Sequence, residues 1–313
     1  MKTFLLMSHS QDAVSQRVAQ GLGLRGHRII LTSNAVAAPF LLSWRLQSDP
    51  GDDTWVWREA SSAAAPTIAG VLVRSAGGPS DPENWDPHDL FYAQVEAQAA
   101  LLAWIWSLPC LVVNRCSADL WFRPQRSYPE WQALFAECGL PRVSLLVTDE
   151  IDAARDFGVQ SRGHVAYVPL TSSNRYPITS PTDWLELAKL LDHVPVCLMA
   201  IPRQASMYAT IVGRQVVWDQ DVPADARALD GGLLTLAERL GVDLMQVDIV
   251  ATHEGFRCIN VDIYPVLHRH DSATQETVVD ALIDLLEGGR PAVGPLRPPE
   301  VRAFVGQAAE RGR

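Results

Sequence analysis

Asp248, Asn260 and Asp262 are the residues whose types and spacing most suggest chemistry. They lie in the run "VDLMQVDIVATHEGFRCINVDIYP", two apolar strand-like segments joined by a polar turn. Side chains alternate along a strand, so Asn260 and Asp262 share one face, and Asp248 stands on the strand before. Hard oxygen donors of this kind, carboxylate and amide, are the ligands that magnesium takes. The competing reading is an ordinary sheet edge, with Asp248 ending a strand and Asp262 solvated.

Other reactive types are scattered. The turn "HRHD", His268 to Asp271, reads as a polar solvated loop, with a metal or acid–base cluster as the alternative. His193 and His253 read as turn residues. The five cysteines are odd in number and have no CxxC spacing, which argues against a disulfide framework or a zinc site. They read as packing residues in a reduced, cytoplasmic setting. Cys116 and Cys258 would be nucleophiles only if their thiolates were stabilised, and no Ser-His-Asp or Cys-His spacing accompanies them. Of the ten tryptophans, Trp55 and Trp57 alternate onto one face of "TWVWRE". Core packing is their expected use, and an aromatic pair that grips a partner is the alternative.

The elements that must carry these residues follow from periodicity. "TFLLMSH", the helical "DAVSQRVAQGLGLRG" and "HRIILTS" give strand, helix and strand, the opening of a parallel sheet. "IAGVLVRSAGG" is a further strand entering a glycine turn. "PHDLFYAQVEAQAALLAWIWSLP" is a long helix closed by Pro109, and "CLVVNR" is the strand after it. From Pro129 the pattern changes to helix, strand, short helix and strand. The helix "TDWLELAKLLDH" follows, capped by Thr182 or Asp183. Then come "VPVCLMAIP", "MYATIVG" and "RQVVWD", the helix "ADARALDGGLLTLAERLG", the hairpin, and the helix "ETVVDALIDLLEGG". The fold class is α/β. The chain divides into an N-terminal open parallel domain over 1–116, an α+β unit over 117–192, a second α+β unit carrying the hairpin over 193–292, and a loosely held tail over 293–313.

Composition sets bounds. With 313 residues, 48% of them hydrophobic, there is enough chain for one large or two to three small cores. The net charge of −10 argues against a nucleic-acid surface, which needs a basic stripe. No apolar run approaches the roughly eighteen residues of a membrane span. Self-association is left open. Only two of the 26 basic residues are lysines, Lys2 and Lys189.

The order of elements resembles the ATP-grasp superfamily, which includes glutathione synthetase and the peptide-modifying ligases of ribosomal peptide pathways. "AGVLVRSAGG" resembles the arginine-ended strand that closes the family's pre-ATP-grasp domain. The run from "LPCLVVNRC" to "TDEIDAARDF" resembles the start of its ATP-binding region. "GVDLMQVDIVATHEGFRCINVDIYP" resembles its metal hairpin, with acid and amide exchanged at Asn260 and Asp262. The likeness spans about residues 3 to 290. It implies a ligase that makes an acyl phosphate from a carboxylate and ATP, which an amine then attacks. Such chemistry needs cations around the phosphates.

Several positions depart from that pattern. Val168 stands where the resemblance expects a phosphate lysine, and "FRPQRSYPEW" offers no lysine for the other. "TSSNRYPIT" has no glycine for a phosphate loop. "VCLMAIP" is wholly apolar where the adenine connector carries polar groups, and Tyr208 stands near the place of an expected arginine. Arg123, Arg126 and Arg175 are the candidates to replace the lysines, with solvated loop arginines as the plain alternative. One functional reading is a non-catalytic or strongly modified member that holds a peptide or protein partner in the old substrate cleft, without cofactor. The alternative is an active carboxylate–amine ligase using ATP and Mg2+, with Asp248, Asn260 and Asp262 as metal ligands. A third is a cleft that takes another small molecule.

Overall fold

The computed structural model describes residues 1–35, 40–45, 54–59, 66–75, 85–201, 206–219, 222–252 and 254–288. The expected tail over 293–313 and His253 lie outside them.

The chain opens with β1 (Thr3–Met7), α1 (Ala13–Leu24) and β2 (Arg28–Thr32). Asp12 caps α1 by accepting from the Ser15 N–H, which satisfies a donor that has no partner inside the helix. A hairpin follows, β3 (Phe40–Arg45) with β4 (Thr54–Glu59), and then β5 (Ile68–Val73), α2 (Pro87–Ser107) and β6 (Leu111–Val113). Strands β2, β1, β5 and β6 form one parallel sheet in that order. β1 is buried on both faces, which is why its sequence is an unbroken apolar run. Trp57 is fully buried and stacks between Phe40 and Trp104. Its expected core role is borne out, while the side chain of Trp55 is outside the described residues.

Two short helices, α3 (Ala118–Phe122) and α4 (Tyr128–Glu137), lead into the second unit. It comprises β7 (Leu145–Thr148), α5 (Ile151–Gln160), β8 (Val165–Tyr167), β9 (Tyr176–Ile178), α6 (Pro181–Leu191) and β10 (Val196–Ala200). Its antiparallel sheet runs β7-β10-β8-β9. The third sheet, β12-β11-β13-β14, is built from β11 (Ser206–Val212), β12 (Gln215–Trp218), β13 (Leu244–Thr252) and β14 (Gly255–Asp262). Helix α7 (Asp230–Leu240) precedes β13, and α8 (Ser272–Gly288) ends the described chain. This is the α/β architecture expected from the sequence.

The third sheet has two unlike faces. On one, Ala209, Ile211, Met245, Val247, Ile249, Cys258 and Val261 pack under Trp131 and Phe135 of α4 and Leu233 and Leu236 of α7. α8 then returns to the first sheet and joins the two bodies. Its Val278, Leu282 and Ile283 share a core with Phe4, Val18 and Leu22, and also with Val212 and Leu244. The helices come so close at Gly21 that an added Cβ would lie 2.3 Å from the Ile283 side chain.

Two buried amides tie the hairpin to its surroundings. Asn114, in a left-handed turn at φ 61° after β6, donates through Nδ2 to the carbonyls of Leu244 (2.9 Å) and Ile263 (2.8 Å). Its Oδ1 accepts from the N–H groups of Asp243 and Leu244. Gln132 of α4 donates to the carbonyls of Cys258 and Ile259 and accepts from the Val143 N–H. Both side chains pair backbone groups that burial would otherwise leave unsatisfied. Asn114→Ala should therefore cost about 3–5 kcal/mol of stability, as several buried groups lose partners at once. Urea unfolding monitored by tryptophan fluorescence would read it as a lower midpoint.

Candidate functional site

The polar face of the third sheet holds the predicted residues. Cross-strand register sets Tyr208 opposite Asp248 and Thr210 opposite Gln246. The same register sets Asp248 opposite Asn260 and Gln246 opposite Asp262. Asp248, Asn260 and Asp262 are thus brought together on one face, as period-two alternation requires. The ladder shifts between Asp248 and Ile249, which leaves Ile259 without a paired residue. This bulge turns Ile259 toward the same side as Asn260.

That side faces the second sheet across an apolar seam. Ala166, Val168, Cys197 and Met199 from the second sheet and its margins meet Val250 and Ile259 of the hairpin, with Tyr128 and Val143 completing the cluster. Val168 and Met199 have no solvent exposure at all. Burial raises the Tyr128 phenol to about 12 despite the nearby Arg175 cation. The Cys258 thiol is likewise pushed up to about 12, mainly by burial and further by Asp248. Cys116 is held at about 11, first by burial, so neither cysteine is a ready thiolate.

Asp248 sits at the edge of this seam, 6% exposed. Its Oδ2 accepts from Arg175 Nη2 at 2.9 Å, and its Oδ1 is buried with no hydrogen-bond partner. Arg175 lies on the loop between β8 and β9, which Tyr128 pins by donating from its hydroxyl to the Ser173 carbonyl at 2.7 Å. Asp262 accepts from the Tyr264 N–H at 2.9 Å. Among the described residues no three His, Cys, Asp or Glu side chains converge on a metal position. As arranged, Asp248 Oδ2 holds a guanidinium and Asp262 Oδ1 a backbone amide, which leaves Asp248 Oδ1 as the unpartnered oxygen of the set.

The three arginines separate. Only Arg175 reaches the hairpin. Arg123 pairs with Glu130, and Arg126 pairs with Asp119 and lies over the Trp131 ring.

Residues of the "HRHD" turn, which the sequence reads as a solvated loop, complete the face. His270, expected in a solvated turn, has a fully buried side chain. Its Nδ1 meets Asp219 Oδ1 at 2.8 Å, and its Nε2 lies 2.7 Å from Thr210 Oγ1 and 2.9 Å from Gln246 Nε2. The turn folds back onto β11 and β13, so three polar partners replace the water that the local sequence implied. Arg269 lies over the Tyr208 ring at 5.2 Å, which brings a cation near the position where the family pattern has an arginine. Alternation could have found Gln246, two residues before Asp248. The "HRHD" turn was visible as a polar cluster, but nothing local could have shown that Arg269 and His270 pack onto the third sheet.

Most of the chain superposes on solved structures. Macrocyclase MdnC from Microcystis aeruginosa MRC, bound with precursor peptide MdnA, matches at a TM-score of 0.71 and 14% identity, over 92% of this chain and 100% of that one. A RiPP-associated ATP-grasp ligase of Chryseobacterium gregarium, in complex with ADP and a leader and core peptide, matches at a TM-score of 0.70 and 19% identity, over 92% and 97% of the two chains. The chain has the ATP-grasp fold. At these identities the likeness is one of fold. No protein-family model matches the chain, and no curated protein does.

Val168, where the resemblance expects a lysine, is part of the closed seam, and the loop without glycine carries the cation that pairs with Asp248. Arg175 and Asp248 should be energetically coupled. A double-mutant cycle with Arg175→Ala and Asp248→Asn, read by urea unfolding, is expected to give roughly 1–3 kcal/mol of interaction. Additive effects would mean that the pair does not form in solution.

Proposed function

We propose that the protein is a non-catalytic or strongly modified member of the ATP-grasp fold that binds a peptide or protein partner in the old substrate cleft. The observation that carries this reading is the Arg175–Asp248 ion pair. The cation expected for phosphate and the carboxylate expected for metal neutralise one another. Phosphoryl transfer needs both free, because charge spreads over the transferring oxygens. Val168 in place of a lysine, and a 171–179 segment without glycine, support the same reading. The structural neighbours that were solved with bound peptides support a peptide as the partner.

One observation favours a second reading, an active ligase using Mg2+ and ATP. A buried carboxylate oxygen without a partner, Asp248 Oδ1, is the kind of atom a cation satisfies. A structure of PsnB with minimal precursor, Mg and ADP, alike in fold, supports that alternative. Here Arg175 would leave Asp248 and turn to the phosphates.

Calorimetric titration with ATP, with and without magnesium and at low and moderate salt, separates the two. The proposal expects no heat of binding up to millimolar nucleotide. Magnesium-dependent micromolar binding that Asp262→Ala abolishes would overturn it.

A further inference from the structure

The parallel sheet carries polar groups that the hairpin does not explain. In the order β2-β1-β5-β6 the chain moves outward on one side through α1 and on the other through α2, so the direction reverses between β1 and β5. At such a switch point the connections lead apart and leave a crevice at the carboxyl ends of the two strands. Ser8 and His9 follow β1 there, and Arg74 and Ser75 follow β5. Ser8, Arg74 and Ser75 are buried, and Ser75 Oγ lies 3.3 Å from His9 Nε2.

Arg74 is only partly used. Its Nε and Nη2 donate to Asp12 at 2.8 and 3.0 Å, and Nη2 also donates to the Pro265 carbonyl at 2.9 Å. Its Nη1 is buried and makes no hydrogen bond, although the side chain is only 3% exposed. Tyr264, one residue before Pro265, sits within electrostatic reach of Arg74. Its hydroxyl makes no hydrogen bond to oxygen or nitrogen and has the Cys116 thiol beside it. Arg74 Nη1, an unpaired donor, and the Tyr264 hydroxyl, whose partner is the weakly accepting Cys116 sulfur, lie where the first sheet touches the end of the hairpin.

A guanidinium has no acceptor, and a phenol next to it has a proton to give, so the missing group is an acceptor. The positive end of the 12-residue α1 opens on the same loop. Asp12 is the carboxylate in contact with Arg74, and it uses the opposite edge of the guanidinium. We propose that this switch-point crevice, with Arg74, Tyr264, Ser75 and His9, is an anchoring subsite for a carboxylate of the bound peptide, either its terminus or an acidic side chain. The subsite holds that group and does not transform it. It rests on the peptide-binding reading above and adds what the peptide must present.

The test uses the full chain with labelled histidine rings, His9 assigned through His9→Gln. Three probes are titrated: N-acetyl-glutamine, which has only a terminal carboxylate; N-acetyl-glutamate α-amide, which has only a side-chain carboxylate; and the neutral N-acetyl-glutamine amide. Sodium sulfate at equal ionic strength is the control. A saturable shift of His9 with one or both acids, absent with the neutral amide, is expected, and the acid that binds names the source. Tyr264→Phe should weaken that binding roughly tenfold or more, the effect of losing one hydrogen bond to a charged group. Equal shifts with the neutral amide, no shift with any probe, or an unchanged affinity in Tyr264→Phe would overturn the proposal. A sulfate shift as large as the acid's would mean an adventitious ion only, and would overturn it too. Nucleotide plays no part here. Magnesium-ATP binding would defeat the non-catalytic reading and leave this subsite standing.

Discussion

A carboxylate withdrawn from water needs a cation or several hydrogen bonds, because desolvation penalises its charge heavily. Asp248 is nearly buried at the edge of an apolar seam, and the group that answers its charge is Arg175, 73 residues away in the chain. That contact fixes the loop between β8 and β9 against the hairpin, and Tyr128 adds a second tie through the Ser173 carbonyl. The position of the second sheet over the third depends on these contacts and on the apolar groups behind them.

The hairpin can serve as this platform because its two faces are supported differently. One face is a conventional core under α4 and α7. The other is polar along Gln246, Asp248, Asn260 and Asp262, and becomes apolar at Val250 and Ile259 where the second sheet closes. Asn114 and Gln132 satisfy the hairpin's backbone from either side. Such buried, fully paired amides hold the geometry tightly, since any shift leaves a polar group unpaired. Arg74 extends the same frame to the first sheet by reaching the Pro265 carbonyl.

Much of this was legible in the sequence where the physics is local. Alternation placed Asn260 and Asp262 on one face, and apolar runs gave the parallel strands and the hairpin. The absence of lysine at Val168 and of glycine near Arg175 marked where the sequence departs from the pattern that the resemblance implies. What stayed hidden depends on tertiary contact. The bulge at Ile259 changes a strand's facing without a sequence mark. His270 lies in a run that looks solvated, and only the return of that turn onto β11 buries it. Arg123, Arg126 and Arg175 look alike as loop cations. Two of them find acids seven residues away, and the third finds the hairpin.

Amide hydrogen exchange over residues 171–176 and 256–262 tests the closed site most directly. It would be followed in the parent protein alone, with Mg-ATP, and in Arg175→Ala. Slow exchange that Mg-ATP leaves unchanged, and faster exchange of both segments in the variant, is the expected result. Mg-ATP that alters exchange in either segment, with Arg175→Ala behaving like the parent, would contradict a site held shut by its own arginine.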